Sequence, residues 1–123
     1  MRPLHLSLRV ESEDPAVILR CIAGLFGLAL TQTGASVTEL ETGDIAMSEL
    51  VEELTVHTEI REVALSGSAQ GFELRLELAD SLPTLTLGEG SRQIIDGGFH
   101  SWSMIGHDVV ITLPLDRQSS DHA

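Results

Sequence analysis

The chain begins with a strict alternation. In "PLHLSLRVE", Leu4, Leu6, Leu8 and Val10 fall on one side, and His5, Ser7, Arg9 and Glu11 on the other. A period of two predicts a strand with one buried face. "EDPAVILRCIAGLFGLALTQTG" follows. Asp14 suits an N-cap, Pro15 suits the first helical position, and Gly34 suits the end of a helix. Between Ala16 and Leu30 the one charged residue is Arg20. A surface helix ordinarily carries a polar face opposite its apolar stripe. This one nearly lacks it, so one sheet cannot cover its circumference. A second protein surface is expected to cover the rest: another helix of this chain, or the same helix of a second copy. Ile18, Ile22, Leu25, Phe26 and Ala29 are the expected interface, and Gly24 and Gly27 would permit close approach. The run is shorter than the roughly 20 residues a bilayer span requires and contains Arg20, so a membrane role is not expected.

The next periodic segment is "TGDIAMSELVEELTVHTEI". Met47, Leu50, Val51 and Leu54 recur at i, i+3, i+4 and i+7, which predicts a helix over roughly residues 44 to 56. Glu49, Glu52 and Glu53 take the far side as a solvated face. The remainder reads as antiparallel strands. "REVALSGSAQGFELRLELAD" predicts a hairpin turning at Ser68-Ala69-Gln70-Gly71. "PTLTLG" predicts a short strand carrying Thr84 and Thr86, and "GEGSRQIIDGG" an irregular loop between glycine clusters.

"DGGFHSWSMIGHDVVITLPL" predicts a second hairpin with a type II′ turn at Gly106-His107. Ile105 then pairs with Asp108, Met104 with Val109, Trp102 with Ile111 and His100 with Leu113. His100, Trp102, Met104, Val109, Ile111 and Leu113 share the expected core face. Phe99, Ser101, Ser103, Val110 and Thr112 share the other. The two histidines are seven residues apart, about 20 Å along a strand. That distance excludes a shared ion, whose ligands lie near 2 Å. No metal site is expected from His100, His107 and Asp108.

These elements add up to an α+β fold: β-α-α followed by four to five mostly antiparallel strands, with one sheet face packed on two helices. Residues 1–116 are expected to form one domain and 117–123 a flexible C-terminal tail. Length and composition agree, since 123 residues with 42% hydrophobic content can build a core without metal or disulfide staples. The one cysteine, Cys21, sits in the apolar run, where a thiol behaves as a small hydrophobe. No basic N-terminal region leads into a cleavable apolar stretch, so the expected location is cytoplasmic. Formal charge is −12, with 19 acidic residues against 7 basic ones, all of them Arg. Such a surface repels phosphates, and nucleic acid is not an expected partner.

The polar sheet face would carry His5, Ser7, Arg9, Glu73, Arg75 and Glu77. Mixed charges and hydroxyls fit a solvated sheet face with cross-strand ion pairs. His5 with Glu73 or Glu77 is the constellation that could instead do acid/base or metal chemistry. "HLSLRVESEDPAVILRCIAGLFGLAL" resembles the first strand and helix of vicinal-oxygen-chelate (glyoxalase-like) domains. In those domains a strand His often binds a metal and the helix ends in Leu-Gly-Leu; Phe26-Gly27-Leu28 stands near that place. "GFELRLELAD" is similar to the ligand-bearing strand of that family, with Glu73 or Glu77 at the acidic position. The likeness covers under half of the chain. It implies a metal-dependent enzyme or small-molecule-binding protein using His5, Glu73 and Glu77. The residues themselves favour a different reading: a non-enzymatic protein-interaction module without cofactor or catalytic residues. Such a module would be a self-associating adaptor, inhibitor, immunity-type or regulatory protein, with a homodimer or another protein as partner.

Overall fold

The computed structural model describes residues 3–81 and 87–115. Along the chain run β1 (Leu4–Arg9), α1 (Pro15–Gln32), α2 (Val37–His57), β2 (Ile60–Ser68), β3 (Gly71–Leu78), α3 (Glu89–Gly98), β4 (Ser101–Ile105) and β5 (Asp108–Pro114). The five strands form one antiparallel sheet in the order β1-β2-β3-β5-β4. The helices pack against one face of the sheet, as an α+β fold requires, with α2 lying between α1 and α3. Thr84 and Thr86 of the expected short strand, and the tail at 117–123, lie outside the described residues.

Local chemistry sets the helix ends. Asp14 accepts a hydrogen bond from the Ala16 amide at 3.0 Å, and Pro15 opens α1. Gly34 follows the helix with φ of +82°, a left-handed conformation that favours glycine. The second helix begins at Val37, earlier than the apolar stripe alone predicts. A reciprocal capping box accounts for the difference. The Glu39 amide donates to Ser36 Oγ at 3.2 Å, and the Ser36 amide donates to Glu39 Oε1 at 3.1 Å. Met47, Leu50, Val51 and Leu54 are all buried, so the predicted stripe is the core face of α2.

Residues 89–98 are a helix, not an irregular loop. Its Ile95 is fully buried, and Gly98 lies so close to α2 that a Cβ there would collide with Thr42 O and Ala46 Cβ. The glycines that read as loop punctuation at this end of α3 thus include one that lets two helices touch. Phe99 also belongs to the core and not to the solvent face. The strand β4 starts at Ser101, so the strand alternation does not extend back to Phe99. Phe99 caps α3 and meets Phe26 of α1 edge-on, with ring centroids 5.3 Å apart.

Both turns take the predicted form, but the expected pairing of His100 with Leu113 does not form, because β4 begins at Ser101 and His100 lies exposed before it. Ser68 pairs with Gly71 across the first, and Ile105 with Asp108 across the second. Gly106 has φ of +63°, as the first central residue of a II′ turn requires. Trp102 opposite Ile111 and Met104 opposite Val109 face the helices.

Candidate functional site

The sheet register sorts every strand residue onto one of two faces. One cross-strand row runs Leu6–Leu65–Leu74–Ile111–Trp102, and the next Leu8–Val63–Leu76–Val109–Met104. Leu65, Leu74, Leu76, Val109 and Ile111 of these rows are fully buried beneath the helices. At the β1 end the cover stops. Leu4, Leu6 and Leu8 point to the helix side yet remain 42%, 41% and 46% exposed.

The first helix explains that gap. Ile18, Ile22, Phe26 and Ala29, expected at an interface, are instead buried in the core of the chain itself. Leu25 is half-buried at the edge of that core. The outward side of α1 carries Val17, Cys21 and Leu28, spaced at i, i+4 and i+11 on one stripe. Val17 is 44% and Leu28 55% exposed, and Cys21 is exposed as well. Between this stripe and β1 runs a groove of about 270 Å³, lined by Leu8, Val10, Val17, Cys21, Leu25 and Val63 among others. The result is a continuous apolar surface formed by two elements that adjoin at the sheet edge. Exposed apolar residues on α2 differ: Ile45 and Val56 share their helix face with Glu41 and Glu52. The α1 segment, 18 residues with a mean hydropathy of 1.6, is also long and apolar enough by length and composition to cross a membrane. Its inner side, however, forms part of the core.

Charge is distributed unevenly. Acidic side chains occur on α2, α3, β2, β3 and β5, but none on β1, α1 or β4. β1 and α1 carry one arginine each, Arg9 and Arg20. In a chain of net charge −12, the two elements of the apolar edge thus carry no acid of their own. Acids approach this edge from neighbouring segments: Glu11 of the β1–α1 connection reaches the end of the groove, and Glu62 of β2 accepts a hydrogen bond from Ser7 on the other face of β1.

The opposite sheet face bears the residues singled out for chemistry. His5, Ser66, Glu73, Thr112 and Ser101 form one row across all five strands. His5 Nδ1 lies 3.0 Å from Ser66 Oγ, and Ser7 Oγ donates to Glu62 Oε1. Arg75 Nη1 donates to Asp108 Oδ2 at 2.7 Å, and its Nη2 lies 3.5 Å from Glu73 Oε2. Its hydrogen bond to Asp108, above all, raises the guanidinium beyond its already high ordinary pKa. His5 and Glu73 stand two strands apart, about 10 Å between backbones, and Glu77 lies four residues from Glu73, about 13 Å along the strand. Shared ligation would need all three ligand atoms near 2 Å from one ion. Among the described residues no group of three or more His, Cys, Asp or Glu side chains could hold a metal ion. His107 is at the exposed hairpin tip, His100 is exposed before β4, and Asp108 is engaged with Arg75.

A polar cleft of about 430 Å³ opens at the lower end of α1 and α2, lined by Glu11, Glu13, Thr55, Thr58, Glu59 and Arg61 among others. Thr58 there is tied to Asp80: its hydroxyl donates to Oδ2 at 3.0 Å and accepts from the Asp80 amide at 3.1 Å.

No family model matches the chain, and no curated protein matches it.

Proposed function

We propose that the protein is a non-enzymatic interaction module that associates with itself, in the manner of an adaptor, inhibitor, immunity-type or regulatory protein. The observation that carries this reading is the apolar surface where α1 meets β1, two elements that carry no acidic residue of their own. Leu4, Leu6, Leu8, Val17 and Leu28 are each more than two-fifths exposed there. A contiguous patch of this kind is costly for a lone monomer and marks an interaction site. On the opposite sheet face His5 is engaged with Ser66, Ser7 with Glu62, and Arg75 with Glu73 and Asp108, which favours a solvated sheet face over a reaction centre.

Leu28→Glu tests the reading. The side chain points away from the core, so the variant keeps the fold while placing a charge on the patch. Sedimentation velocity should show the wild type as an assembly and the variant as a monomer. Unchanged sedimentation of the variant would remove this surface from the reading. Metal analysis of tag-free protein tests the glyoxalase-like alternative, for which stoichiometric metal would count.

A further inference from the structure

We infer that the partner at this surface is a second copy of the chain, bound through antiparallel pairing of β1 with β1 about a two-fold axis at Leu6. This inference rests on the self-association reading and specifies its geometry.

The first argument is the direction of the backbone groups. Val10 N–H donates to Arg61 O at 2.8 Å, continuing the β1–β2 ladder. In an antiparallel pair, residues bond to the neighbouring strand at every second position. The register pairs Leu8 with Val63, Leu6 with Leu65 and Leu4 with Gly67. The even-numbered residues therefore spend their N–H and C=O groups on β2. Those of His5, Ser7 and Arg9 point outward at the sheet edge. This edge lacks the devices that usually block strand addition, namely an interior proline, a bulge or an inward charge.

The second argument is register. Outward bonds at odd-numbered residues require odd to pair with odd, so the leucines of both copies fall on the same face. Centring the axis at Leu6 places Leu6 beside its own copy and Leu4 beside Leu8 of the other chain. On the opposite face His5 meets Ser7. Centring at Ser7 would set Arg9 opposite His5, an unfavourable pair whenever the imidazole is charged. The Leu6 axis avoids this and continues the leucine row across the junction.

The third argument is charge. Two copies of a chain with net charge −12 repel each other. They meet with least repulsion where acids are fewest, and β1 and α1 carry none of their own, with Glu11 at the groove end and Glu62 beside Ser7 the ones that approach. The same pairing places the outward stripes of the two α1 helices, Val17, Cys21 and Leu28, on one side of a ten-stranded sheet. The other edge, β4, likewise carries no acid of its own, but pairing it with β1 of a second copy is a head-to-tail contact that need not close.

Ser7→Pro tests the pairing. Its amide points away from β2, so proline removes an edge donor while the intramolecular ladder stays intact. Expected is a folded monomer with near-wild-type circular dichroism. Cysteine crosslinking in a Cys21→Ser background provides a second readout that does not depend on that variant. Leu6→Cys should yield a covalent dimer on mild oxidation, because facing non-hydrogen-bonded residues lie about 4.5 Å apart at Cα, within disulfide range. Leu8→Cys, displaced from the axis, should not. Equal crosslinking of both, crosslinking of neither, or an assembly growing beyond two chains would overturn the pairing. A dimer that survives Ser7→Pro but is lost in Leu28→Glu would overturn it while leaving self-association standing. A wild type that is monomeric would remove both.

Discussion

Phe26 of α1 and Phe99 at the end of α3 meet edge to face, with centroids 5.3 Å apart and planes at 69°. They belong to helices on either side of α2, and the Phe26 ring passes over Gly43 of that helix. The contact joins the helix layer across its middle. Phe26→Ala should cost about 3–5 kcal/mol in denaturant unfolding. A double-mutant cycle with Phe99→Leu should return a coupling of about 0.5–1.5 kcal/mol. Additive effects would mean that the rings do not interact.

The β4–β5 hairpin should respond unequally at its middle and tip. Trp102 is half-buried, and its Nε1 donates to Asp96 Oδ1 of α3 at 2.9 Å. Trp102→Ala should cost about 3 kcal/mol, the lower end of the range for large aromatic deletions. His107→Ala removes an exposed turn side chain and should stay within about 0.5 kcal/mol of wild type. Equal shifts in the denaturation midpoint would show that the faces are reversed.

Two glycines should move stability in opposite directions. Gly27 lies within α1, and a Cβ there meets nothing within 4 Å. Gly27→Ala should stabilise by about 0.5–1 kcal/mol, raising the thermal midpoint. Gly98→Ala drives a methyl into Thr42 O and Ala46 Cβ and should destabilise by about 1–3 kcal/mol. Calorimetry reads both signs.

The contrast between those glycines also shows what could be read in advance. The alternation of β1, the stripe of α2 and the β4–β5 register follow from local periodicity and turn chemistry, so the sequence displays them. The Ser36–Glu39 capping box was equally visible and marks the true start of α2. For α3, the Gly-rich ends resemble a loop, and only the packed structure reveals that Gly98 serves a helix–helix contact. The orientation of α1 was illegible for a related reason. A helix that is apolar nearly all round gives no hint of which side enters the core. Ile18, Ile22, Phe26 and Ala29 go inward because the sheet and α2 meet there, which leaves Val17, Cys21 and Leu28 outside. Likewise, the row from His5 to Ser101 depends on strand order, and no local pattern encodes it.

The acidic surface should not bind nucleic acid. With a net charge of −12, random duplex DNA should run unretarded in a low-salt gel shift. Retardation would show a binding mode that the charge distribution does not provide.

Mass in solution is the most direct test of the central claim. Each half-exposed leucine fully buried at the α1–β1 surface would contribute about 0.6–1.5 kcal/mol, so several must act together to hold two chains. Light scattering coupled to gel filtration, run at tens of micromolar, should give twice the 13.2 kDa chain mass and fall toward that mass on dilution. A single 13.2 kDa species at every concentration would contradict the account.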